Sequence, residues 1–218
     1  MSRMYLLVEG QTEETFVREL LAPHYARNGL FITPIIVRTS PGHKGGVTGY
    51  GKIKPQLSRL CKQDRHASVS TLFDLYGLPG DFPGKSAAGF PANGTGEQKA
   101  IFLETWLAED INELNFIPYL MVYEFEALLF VKPEAFSSWT DSQGTVDALV
   151  AIAQAHETPE HINDSPQTAP SKRIKRLMPE YKKTFHGPLI AAEIGLDPLR
   201  QACSHFNNWL LRLEQLAA

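Results

Sequence analysis

Apolar residues alternate with helical periodicity through the first third of the chain. A short apolar run, Met4 to Val8, is followed by Phe16, Val17, Leu20, Leu21 and Tyr25 at three- and four-residue intervals. Phe31 to Val37 is again strand-like, so a strand, a helix and a strand are expected, with Thr12 capping the helix, Glu13 and Glu14 at the positive end of its dipole and Gly29 closing it. A second unit repeats the alternation: a helix through Ile53, Leu57, Leu60 and Cys61, then a strand Val69 to Phe73 that stops at Asp74. A helix over about Glu97–Ile111 is expected to turn Ile101, Trp106, Leu107 and Ile111 to or near one face. Phe116 to Val122 reads as a buried strand ending at Tyr123-Glu124-Phe125-Glu126, and Ala127-Leu128-Leu129-Phe130 as a helix start. Val146–Ala155 and Pro198–Leu216 complete the helical signals. Strands alternating with helices predict a mostly parallel α/β sheet covered on both faces.

Two glycine-rich stretches interrupt this pattern. Thr39 to Gly51 holds five glycines with His43 and Lys44 and reads as a flexible substrate flap, and Gly77 to Gly96 reads as a long loop near the site. The glycines around His43 lack the order of a nucleotide P-loop, which argues against ATP binding by this chain.

With 218 residues, 43% of them hydrophobic and a formal net charge of −3, the chain fits one large domain: a core over about 1–135 and a helical C-terminal extension over about 136–218. No run approaches the ~20 apolar residues of a membrane span, and no signal-peptide pattern opens the chain, so a cytoplasmic location is expected. Cys61 and Cys203 lie too far apart in sequence, and without partners, for a zinc ribbon, and the seven histidines show no zinc pairing. Trp106, Trp139 and Trp209 form no regular stacking platform in sequence.

Ligands of such sheets gather at the carboxyl ends of the strands. Glu9, Asp74 and the pair Glu124 and Glu126 all fall where strands stop. Carboxylate oxygens suit hard divalent cations that keep several waters, so Mg²⁺ or Mn²⁺ with room for a phosphate is the matching chemistry. Any one of these acids could equally cap a helix or face solvent. Glu13 is open between ligand and helix-dipole roles, whereas Glu14 is better explained by the dipole. Glu124 is expected to face the site. If the segment is extended Glu126 points the same way, and if a helix begins there the two separate. Lys172, Arg173, Lys175, Arg176, Lys182 and Lys183 crowd six basic residues against one acid, Glu180. Phosphate contact by this run and the solvated face of a helix carry equal weight. Lys172 is the foremost phosphate ligand and candidate catalytic cation of the set, with Arg173 and Lys183 beside it.

Leu7-Val8-Glu9-Gly10-Gln11-Thr12-Glu13 resembles the first motif of the Toprim domain, and Phe73-Asp74-Leu75-Tyr76-Gly77 its Asp-x-Asp motif, with Tyr76 at the second acid. In VEGQTEE, DLYGLPGDFPG, YEFEALLF and APSKRI the chain resembles, over nearly its whole length, an uncharacterised bacterial Toprim-like family described only as a domain of unknown function. That family is related to Toprim nucleases of the overcoming-lysogenization-defect (OLD) type. The resemblance implies a Toprim-like, Rossmann-like sheet flanked by helices with helical C-terminal additions. It also implies a Mg²⁺-dependent nuclease or nuclease-like effector on nucleic-acid phosphodiesters, with Glu9 near the scissile phosphate and an ABC-type or AAA-type ATPase partner in phage defence. With Tyr76 in place of an acid, the resemblance leaves a weaker site, a one-metal mechanism, or replacement by another acid such as Asp81 or Glu126. Two other readings stay open: a non-catalytic interaction subunit, and a metal-dependent phosphatase or nucleotidyl-transfer enzyme on small phosphates.

Overall fold

The computed structural model describes the chain apart from residues 41–42, 45, 47–48, 164–166 and 217–218, and describes only the backbone of 39, 40, 43 and 44. Strand β1 (Ser2–Val8) pairs in parallel with β2 (Leu30–Ile36) on one side and with β5 (Ala67–Asp74) on the other. On the far side of β5 lie β6 (Phe116–Ile117) and β7 (Leu120–Met121), both parallel to it. The expected strand over 116–122 is thus two short pieces, because Pro118 interrupts the ladder and brings no N–H of its own. Thr71 bridges the break, its hydroxyl accepting from the Tyr119 N–H and donating to the Tyr119 carbonyl at 3.0 and 2.8 Å.

Alternation along β1 explains the two-sided core. Met4, Leu6 and Val8 face one hydrophobic cluster while Leu7 faces the other, and all four are fully buried. Helix α1 covers the first face in three continuous stretches: Gln11–Phe16, a wide π turn Val17–Leu21, and Ala22–Ala26. Pro23 lacks the N–H a regular α-helical turn would use there, and the widened turn accommodates the gap. Gly29, at φ 81°, reverses the chain into β2. The opposite face carries α2 (Tyr50–Gln63) and α3 (Gly96–Ile111).

In α3 the inward track is Ala100, Leu103, Glu104, Leu107 and Ile111, so Ile101 and Trp106 point outward, contrary to the sequence expectation. Trp106 instead closes over the long loop: a Cβ added at Gly84 would meet its indole at 2.8 Å. The stretch expected as a flap contains two short antiparallel strands, β3 (Arg38–Ser40) and β4 (His43–Lys44). Pro41, Gly42, Gly45, Val47 and Thr48, and the side chains of His43 and Lys44, fall outside the described residues.

Two 3-10 turns, Phe125–Val131 and Pro133–Ser138, follow β7 in place of the helix expected at Ala127. Then come α4 (Gln143–Gln154), a 3-10 turn Pro159–His161, α5 (Pro170–Leu177), α6 (Lys183–Ile194), α7 (Leu196–Ala202) and α8 (Ser204–Glu214). The helix expected over 198–216 is two, broken at Cys203, whose backbone is extended. These helices fill the first core, with Phe206, Trp209 and Leu210 meeting Phe16 and Tyr119. Among the described residues no helix is long and apolar enough to cross a membrane.

Candidate active site at the carboxyl edge

Register places Val8 opposite Ile36 and Leu72, and Asp74 opposite Met121, so four strand ends share one edge of the sheet. Glu9 leaves β1 there, and its Oε2 accepts from the Asp74 N–H at 3.3 Å. Gly77 leaves the space next to it: a Cβ at 77 would lie 3.6 Å from Glu9 Oε1. After β7 the chain reverses through Tyr123 at φ 64°, a conformation bulky residues rarely hold. The reversal delivers the Phe125 N–H to Asp74 Oδ1 at 3.0 Å and sets Glu124 and Glu126 on either side of that bond in sequence. A helical turn does begin here, yet both acids remain within electrostatic reach of Asp74.

Glu126 is 0%, Glu13 4%, Asp74 7% and Glu124 9% exposed. Burial raises Glu13 to about 8, with the charges of Asp74 and Glu9 adding to the shift and Lys183 opposing it. Burial likewise raises Glu126 to about 7, against the pull of Lys183 and with repulsion from Asp74 and Glu124. Asp74 is raised by burial and by Glu124, offset by Lys183 and the Phe125 N–H. The ammonium of Lys183 stands 3.0 Å from Glu126 Oε2 and 3.6 Å from Asp74 Oδ2. Burial works against its charge, but Asp74, Glu126 and Glu13 outweigh it and raise the lysine. Tyr181 donates to Glu126 Oε1 at 3.4 Å.

The remaining residues singled out from the sequence sort by position. Glu13 folds back on its helix start, accepting from the Gly10 N–H at 2.9 Å, while Glu14 is an i,i+4 partner of Arg18 on the surface. Asp81 caps α2 through the Tyr50 N–H at 3.0 Å, whereas Glu126 shares Lys183 with Asp74. The Ser171 N–H donates to Glu124 Oε2 at 3.0 Å, which seats the first turn of α5 at the site. Lys172, Lys175 and Arg176 are exposed along that helix, and Arg173 turns back to the Thr168 carbonyl. It is therefore Lys183, not Lys172, that enters the carboxylate cluster. Of α6 only Lys183 stands out in the sequence; Tyr181, Gly187 and the helix itself do not, because Gly187 and Pro188 break the helical propensity of the segment. The apolar spacing Ile190, Ala191, Ile194 was the available signal. Gly187 allows a close approach: a Cβ there would meet Tyr181 Oη at 2.9 Å and Phe125 Cε1 at 3.3 Å, so helix or rings would have to shift.

A second buried ionic cluster joins α3, the Pro159 turn and α8. Glu104 Oε1 accepts from the Leu120 N–H at 2.7 Å and lies 2.9 Å from His205 Nε2. Glu160 takes the N–H groups of His205 and Phe206, both at 3.1 Å. Burial depresses the His205 imidazolium, but the bond to Glu104 and the charges around it prevail and raise it.

A parallel sheet with acids gathered at its carboxyl edge and helices on both faces is a Toprim-like α/β architecture. The fold is similar to that of the C-terminal region of the Burkholderia pseudomallei OLD protein, with a TM-score of 0.50 at 15% identity over 100% of both chains. The C-terminal region of the Xanthomonas campestris pv. campestris OLD protein matches over 98% of each chain at 17% identity and a TM-score of 0.43. Residues 8–214 match the family model described as "Domain of unknown function (DUF4276)", and the chain belongs to that family. No curated protein matches it.

Proposed function

We propose that the chain is a divalent-metal-dependent hydrolase of nucleic-acid phosphodiesters. The observation that carries this reading is the gathering of Asp74, Glu126 and Glu13 around one ammonium, Lys183, with Glu9 and Glu124 beside Asp74, at the edge where parallel sheets bind ligands. A cluster so negative and so desolvated favours a further cation.

The donor chemistry fits Mg²⁺ or Mn²⁺. Among the described residues no three His, Cys, Asp or Glu side chains form a ready ligand cage, and Mg²⁺ needs none, since it binds through one or two carboxylates while water and phosphate complete its shell. Glu9 and Asp74 are the residues that would hold it, with Glu13, Glu124 and Glu126 around them. When bound, the ion supplies charge stabilisation on phosphate and a more acidic water. Lys183 offsets charge developing on the phosphate oxygens. Glu13, near 8, holds or releases a proton close to neutrality. Lys172, Lys175 and Arg176 share one exposed helical face whose first turn begins at Glu124, and are suited to backbone phosphates on either side of the reacting one.

The test is cleavage of single- and double-stranded DNA and RNA in Mg²⁺ and Mn²⁺, with metal binding measured by calorimetry. Glu9→Gln and Asp74→Asn are expected to lower cleavage at least about a hundredfold without lowering the melting temperature. Full activity in both variants would refute the assignment. Tyr76, 43% exposed where a second motif acid would stand, favours one other reading, a non-catalytic binding module. Absence of both metal binding and cleavage in the wild type would establish that reading instead.

A further inference from the structure

One strand over from Glu9, the same edge of the sheet opens into a cavity of about 430 Å³. Its walls are Pro34, Ile35 and Ile36 at the end of β2, Gly10, Gln11 and Glu14 at the start of α1, and Arg38, with the Glu14 carboxylate held by Arg18 at 3.0 Å. Adjacent strands are about 5 Å apart, so the cavity begins roughly one nucleotide step from the carboxylates. Gln56 fixes the Arg38 backbone from both sides, accepting from its N–H at 2.9 Å and donating to its carbonyl at 3.0 Å. The guanidinium is therefore anchored at its root and exposed at its tip. An apolar wall, an amide and a guanidinium are what an unstacked base requires: a face to lie against and donors for its edge. A base inside a duplex cannot enter such a recess without leaving its stack.

We propose that this cavity receives the nucleobase next to the reacting phosphate, with Gln11 and Arg38 on its edge, so that the substrate is unpaired nucleic acid. The inference rests on the phosphodiester reading above and adds the strandedness of the substrate and the residues that select it.

Binding of a short labelled oligonucleotide, single-stranded or annealed to its complement, is measured by fluorescence anisotropy in Ca²⁺ with the full chain. The single strand is expected to bind at least about tenfold more tightly than the duplex. Arg38→Ala should remove about tenfold of single-strand affinity, the worth of one good base-edge contact, and leave duplex affinity unchanged. Lys175→Ala, on the phosphate-facing helix, should weaken both alike. An abasic residue walked along the single strand should cost affinity at one position in the wild type and at none in Arg38→Ala. Equal binding of both substrates, with Arg38→Ala weakening them equally, would overturn the base pocket and leave the phosphodiester reading intact. Binding of neither substrate would overturn both.

Discussion

Among the described residues two buried clusters are built on carboxylates, one around an imidazole and one around an ammonium, and they are balanced differently. At the Glu104–His205–Glu160 cluster Glu104 receives the Leu120 N–H and the His205 imidazole, and Glu160 receives the N–H groups of His205 and Phe206. At the carboxyl edge Asp74, Glu126 and Glu13 surround Lys183, with Glu9 and Glu124 beside Asp74; burial raises Glu13, Asp74 and Glu126 as it raises Glu160, but here neighbouring acids push the same way. Burial alone therefore does not mark function. The first cluster ties α3, the Pro159 turn and α8 together, whereas at the carboxyl edge the acids outnumber the one ammonium, the imbalance on which the proposed metal site rests.

Substitution separates the two most sharply. Glu160→Ala strands the His205 and Phe206 N–H groups and is expected to cost about 3 kcal/mol in a denaturant titration, with metal binding at the far cluster unchanged in whatever fraction remains folded. Asp74→Asn removes a repelled charge and should leave the denaturation midpoint where it is or raise it. If Asp74→Asn unfolds the protein while Glu160→Ala does not, the contrast is reversed.

The pH dependence is the next largest effect. A carboxyl group at about 8 in the folded chain and at 4.5 in the unfolded one keeps a proton on folding between those values. The folded state binds more protons there, so stability falls as pH rises from about 4.5 to about 8. Glu13→Gln, which keeps an oxygen for the Gly10 N–H, should reduce that slope in urea midpoints across the range and remove it above about 7, where Glu126 no longer adds to it. His205 has a raised folded value, so its contribution is complete below 6.5 and is lost as pH rises through that folded value. His205→Gln should thus leave the slope due to Glu13 in place. The smallest effect is expected at Arg3, 59% exposed in its pair with Asp64: Arg3→Ala should change stability by no more than about 0.5 kcal/mol, read from the same titration.

How much of this was legible in the sequence follows from what each feature depends on. Period-two and period-3.6 patterns are local, so β1, α1, β2, α2 and β5 stood out, and with them the strand-end acids Glu9 and Asp74. Pro118 splitting a strand and Cys203 splitting a helix were visible as residues but not as breaks, because the surrounding apolar pattern runs straight through both. The partner of the carboxylates was the hardest to read. In sequence Lys172 and Lys183 belong to one basic run, and what distinguishes them is that α5 ends and α6 begins between them, turning one to solvent and the other inward. The cavity beside Gly10 draws on α1, β2 and β3, and of its lining only Gly10, Gln11 and Glu14 fall in the motif around Glu9, so the recess itself cannot be read from a local pattern.

Gly187 gives the charged edge a mechanical dependence. Lys183 stands one turn before it on α6, so the ammonium and the close approach of that helix to Tyr181 and Phe125 are carried on a single rigid rod. A side chain at 187 would act as a wedge, levering the rod outward and drawing its charge away from Asp74 and Glu126. The distance between two backbones, set by the absence of one carbon atom, thus tunes the electrostatics of an edge in which residue 187 itself bears no charge.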